Sequence, residues 1–121
     1  MAAKVVAPAP LICICGKIVN KLAGGKSLEY KLYCDASSHR CGGMSKFSQA
    51  TPVPQTWFPI QGTFFVLNGL YSISFTDHAP GLIGGLMAHV QVAVATPHNG
   101  HGAFSVGALH VSGNAVDGKC C

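Results

Sequence analysis

Apolar and polar positions alternate with a period of two along most of the chain. Ser27 to Tyr33 sets Leu28, Tyr30 and Leu32 on one face and Glu29, Lys31 and Tyr33 on the other, the pattern of a half-buried strand. Leu70 to Phe75 alternates likewise, with Tyr71, Ile73 and Phe75 opposite Leu70, Ser72 and Ser74. Thr63–Leu67, Met87–Ala95 and Ala103–Val111 are short runs rich in β-branched and aromatic residues, and each predicts a strand. Turn signals separate them: Ala23-Gly24-Gly25-Lys26, Gly42-Gly43, Gln61-Gly62, Asn68-Gly69, Asn99-Gly100 and Ser112-Gly113-Asn114. Asn68-Gly69 is the strongest, because both residues tolerate positive φ and lie between two apolar runs. Ser45 to Ala50 is the one stretch that predicts a short helix, stopped by Thr51-Pro52-Val53-Pro54. The pattern predicts one all-β domain over residues 1–121, with mostly antiparallel short strands and an extended N-terminal segment over 1–10.

Length and composition narrow the classes of function. A chain of 121 residues and 12.5 kDa holds one compact domain, which excludes a large multi-domain enzyme. Charged residues are 10% and hydrophobic ones 49%, so the chain cannot remain a solvated coil. The net charge of +4 comes from scattered lysines and one arginine, which leads us to expect neither a nucleic-acid nor a membrane partner. So apolar a chain cannot hide all its hydrophobic side chains, and a homodimer is consistent with that. Gly81–Thr96 is too short and too polar to span a membrane. The first dozen residues lack a continuous apolar run, which points to a cytoplasmic protein. The terminal Cys120-Cys121 resembles a prenylation tail, but nothing else in the chain goes with one.

Six cysteines and six histidines carry most of the candidate chemistry. In Cys13-Ile14-Cys15-Gly16 the two thiols would share one face of a strand, a geometry suited to chelating one ion or to two inert buried thiols. His98-Asn99-Gly100-His101-Gly102 is either a two-ligand knuckle for tetrahedral zinc or a polar surface loop. Cys34, His39 and Cys41 lie within eight residues, with Arg40 among them. They suit a three-ligand zinc site open to substrate, or a loop closed by a Cys34–Cys41 disulfide. His78, His89 and His110 are isolated candidates for general acid or base work.

The order Cys-x-Cys-Gly, then Cys-x-x-Ser-Ser-x-Arg, then a late His-Gly resembles the glutathione-dependent formaldehyde-activating (GFA) and CENP-V-like family of zinc β-tent proteins. That resemblance implies a β-tent-like fold, a structural zinc at Cys13, Cys15, His98 and His101, and a middle site at Cys34 and His39 followed by Arg40. It implies a carbon–sulfur lyase, or a diverged relative, acting on a small carbonyl metabolite or glutathione adduct. Arg40 would anchor a substrate carboxylate, and Cys41 would stand in for the ligand that Ala36 replaces. The rival expectation is a small secreted β protein of the toxin, defence or effector type, held by three disulfides. Adjacent Cys120 and Cys121 suit it, since each could pair with a separate partner.

Overall fold

The computed structural model of the chain describes residues 11–20, 26–48, 56–77, 85–94, 100–107 and 109–116. The segment 1–10, His78, His98, Cys120 and Cys121 lie outside the described residues. The described residues form eight strands: β1 (Leu11–Val19), β2 (Ser27–Asp35), β3 (Arg40–Phe47), β4 (Phe58–Leu67), β5 (Leu70–Asp77), β6 (Met87–Ala93), β7 (Gly100–Val106) and β8 (Leu109–Val116). Each pairs antiparallel with the next, and β8 returns to β1 through Lys17↔Val116, Ile18↔Ala115 and Val19↔Asn114. The all-β, antiparallel, short-stranded domain read from the sequence is therefore what the chain forms, and its strands close into one barrel.

The period-two pattern sorts the side chains as the barrel requires. Leu28, Tyr30, Leu32 and Cys34 of β2 point inward, as do Ile14 and Ile18 of β1, Ile73 and Phe75 of β5, and Val90 and Val92 of β6. Aromatic rings fill the middle: Tyr30 lies 5.8 Å from Phe75, and Phe47 lies 5.5 Å from Phe58 and 5.9 Å from Phe104, measured between ring centroids. Eight strands enclose a space just wide enough for such side chains, and here those side chains occupy it.

Three expectations from local sequence are corrected by register. Ser45 to Phe47 complete β3 instead of starting a helix. The Ser45 hydroxyl donates to the Glu29 carbonyl at 2.6 Å, and Phe47 pairs with Leu28 and turns into the core. Ala103–Val111 is two strands, reversed at Gly107 with φ 56°. Gly42-Gly43, Gln61-Gly62 and Ser112-Gly113-Asn114 lie inside strands. At Gly43 a Cβ would overlap the carbonyl oxygen of Lys31 on β2, so this glycine permits close approach and makes no turn. Asn68-Gly69 does turn the chain, with φ of 52° and 76°, the two positive values of a type I′ hairpin.

These placements predict unequal costs for two alanine substitutions. Gly43→Ala pushes a methyl group into backbone that cannot move aside and is expected to cost about 3 kcal/mol in urea unfolding. Gly69→Ala meets open space and bears only the left-handed backbone, about 1–2 kcal/mol. Equal losses would show that the Gly43 contact relaxes. A second prediction concerns alkali. Burial pushes the Tyr30 hydroxyl well above the ordinary tyrosine range. Above pH ~10 the unfolded chain releases this proton while the folded chain keeps it, so stability falls as pH rises, by about 1.4 kcal/mol per pH unit. Tyr30→Phe should lack that component, and indistinguishable pH slopes for the two proteins would refute it.

Candidate functional site

The β2–β3 hairpin carries the middle group of site candidates. Cys34 and Cys41 face each other across it, both buried inside the barrel, and are joined in a disulfide. The turn between the strands is built by Asp35, whose carboxylate oxygen accepts from the Ser37 N–H and the Ser37 hydroxyl, each at 2.8 Å. These two bonds hold the Asp35 carboxyl below the usual carboxylate range. His39 occupies the left-handed region, with φ 59°. Its N–H donates to the Asp35 carbonyl at 2.9 Å, and its carbonyl accepts from Phe64 of β4 at 3.0 Å. The His39 ring packs edge-on against Phe64 at 5.4 Å.

The other ligand candidates are distributed differently. Cys13 and Cys15 lie on β1 with the same facing, alternating with the inward Ile14, and both are disulfide-bonded. His101 is on β7, exposed, and pairs with Asn114, which also pairs with Val19. Cys15 is four residues from Val19 along β1, and His101 is two strands away. At about 3.4 Å per residue and about 4.8 Å per strand, that separates Cys15 from His101 by roughly 16 Å. No group of three or more metal-ligating side chains converges among the described residues. Cys13, Cys15, Cys34 and Cys41 all hold their sulfur in disulfide form, and a disulfide sulfur is not the thiolate that binds zinc. The metal and catalytic readings of these cysteines therefore require the reduced chain.

Register brings together a different set of residues on the outer face of β3, β4, β5 and β6. Arg40 lies opposite Thr63, Thr63 opposite Ser74, and Ser74 opposite His89, forming one polar row across four strands. A second row runs beside it, from Gln61 through Thr76 to Met87. Together they line an open cleft of about 670 Å³. The His89 ring is fixed by two hydroxyls, with Ser74 Oγ 3.0 Å from Nδ1 and Ser72 Oγ 3.3 Å from Nε2. No carboxylate lines this cleft. Asp35 pairs with Arg40 in the register, but its carboxylate is held by Ser37.

Arg40 and His89 are candidate residues in the sequence, as the anchor of a carboxylate and as a general acid or base; Thr63, Ser74 and Thr76 are not. A lone hydroxyl on a strand carries no spacing signal, and the row exists only once four strands are in register. Next to the cleft the β4–β5 hairpin ends in Phe65, Val66 and Leu67, exposed by 62%, 55% and 65%. Consecutive exposure of both strand faces means that this tip projects past the barrel wall.

The turn chemistry yields a prediction. Ser37→Ala removes the hydroxyl donor, so NMR titration should find the Asp35 carboxyl moved up toward its ordinary value. A depressed carboxyl contributes stability above its unfolded pKa that is lost as pH falls, and the variant should show less acid sensitivity from this group. An unchanged Asp35 titration would show that the hydroxyl has no part in it. No family model matches the chain, and no curated protein matches it.

Proposed function

We infer that this protein is a small disulfide-stabilised β-barrel of an oxidising compartment, of the secreted defence, toxin or effector type, which acts by binding a ligand on its outer face. The observation that carries this reading is the state of the cysteines. Cys34 is bonded to Cys41, and Cys13 and Cys15 are also in disulfides. A chain of 121 residues gains several kcal/mol from such links, and they persist where glutathione does not reduce them. The filled interior supports an exterior site, and the cleft on β3–β6 supplies one. A zinc-dependent carbon–sulfur lyase in the cytoplasm is the competing reading, and it calls for thiolates at the same positions.

One experiment separates the two. Protein purified without reductant, then denatured in the presence of chelator, should show fewer than one reactive thiol per chain. Tryptic cleavage after Lys31, Arg40 and Lys46 places Cys34 and Cys41 on different peptides, so the unreduced digest should contain them as one linked species. About six free thiols together with bound zinc would overturn the disulfide reading in favour of the lyase.

A further inference from the structure

We propose that the cleft on the outer face of β3–β6 binds an acidic sugar, a mono- or disaccharide bearing a carboxylate or a sulfate, with Arg40 taking the anion. This deepens the binding reading above and rests on it. Arg40 is the only arginine in the chain. Among the described residues it has no ion pair, and the carboxylate opposite it is taken up by its own turn. A guanidinium left in this way beside a wall without carboxylates is a site for a planar or tetrahedral oxyanion, which its fork of N–H groups can meet with two parallel bonds.

The rest of the cleft describes the body of the ligand. From Arg40 the row continues through the hydroxyls of Thr63 and Ser74 to the His89 imidazole, three strand spacings or roughly 14 Å away. The Thr63 and Ser74 hydroxyls both donate and accept, which matches neutral hydroxyls, while the two ring nitrogens of His89 are already engaged by Ser74 and Ser72. The ligand is therefore charged at one end and hydroxylated along its length. A nucleotide would also be anionic, but the lining holds no exposed Phe, Tyr or Trp for a base to stack on, since Phe75 is buried in the barrel. The ordered His89 ring and the exposed Met87 close the far end. A volume of about 670 Å³ accommodates one or two sugar rings.

Calorimetric titration of the unreduced full-length protein with glucuronate, glucose 6-sulfate, glucose and inorganic sulfate tests this. At least one acidic sugar should bind, with glucose and inorganic sulfate each at least tenfold weaker; which acidic sugar binds better tells carboxylate from sulfate. Arg40→Gln should weaken that binding at least tenfold, and Thr63→Val by a smaller factor. Lys17→Gln, which removes the same charge from a different part of the barrel, should leave it unchanged. A thermal melt of each variant establishes that it is folded, and Thr63→Val serves if Arg40→Gln is not. The proposal is overturned if glucose or sulfate alone binds as well as the acidic sugars, if Arg40→Gln binds like the parent, or if nothing binds. A thiol count on the same sample keeps the two levels apart. Absent thiols with absent binding reject the cleft ligand alone, whereas six thiols reject the disulfide reading whatever the titration gives.

Discussion

Closing eight short strands into a barrel this narrow forces neighbouring backbones together on the concave side, and the chain meets that constraint with glycine. Gly43, Gly62, Gly100 and Gly113 each sit where a Cβ would overlap a carbonyl oxygen of the adjacent strand. Those strands are β2, β5, β6 and β1 respectively, so the device recurs around the whole circumference. A glycine in a strand costs conformational entropy and contributes no packing. Its recurrence makes sense only because a side chain there would hold the sheet open. Everything else follows from closure, including the inward alternation that buries Tyr30 and five phenylalanines and the outward alternation that lines up hydroxyls across separate strands.

The same constraint explains which parts of the fold were legible in the sequence. Alternation in Ser27–Tyr33 and Leu70–Phe75 identified both strands and their buried faces, because the period of two is a local property. Asn68-Gly69 identified its hairpin, because positive φ at both residues is a local requirement. Gly42-Gly43, Gln61-Gly62 and Ser112-Gly113-Asn114 read as turns and lie inside strands, while Gly24-Gly25 and Asn99 are outside the described residues. A glycine needed for close approach to a neighbouring strand and a glycine needed for positive φ are the same letter, and what distinguishes them is a contact about a dozen or more residues away. The short helix expected at Ser45–Ala50 failed for the same reason, since Ser45 and Phe47 take their conformation from Glu29 and Leu28.

The candidate site was less legible than the fold. Cys34, His39 and Cys41, five and two residues apart, carry spacing information that suits both a zinc site and a Cys34–Cys41 link. Which of the two forms depends on whether the residues face one another across a hairpin, and that is set by the length of the Asp35–Arg40 turn. The polar row Arg40, Thr63, Ser74, His89 has no sequence signature at all. Its members are drawn from positions 40 to 89 and are brought together by three successive registers, each fixed by the apolar residues on the opposite face. Core packing, by deciding register, thus decides the chemistry of the outer wall.

The staple and the cleft are also joined mechanically. Arg40 directly precedes Cys41, whose sulfur is tied to Cys34, so the disulfide fixes how far β3 can slide along β2. On the other side the His39 carbonyl holds the Phe64 N–H, which locks the turn to β4 one residue beyond Thr63. Arg40 and Thr63 are therefore set opposite one another by a covalent bond inside the barrel and a backbone bond at its rim. A one-residue slip of β3 would turn Arg40 inward and carry Cys41 out of the core. The link that braces the fold is the same one that keeps Arg40 in register on the outer face, so the disulfide would support the proposed site from within the barrel wall.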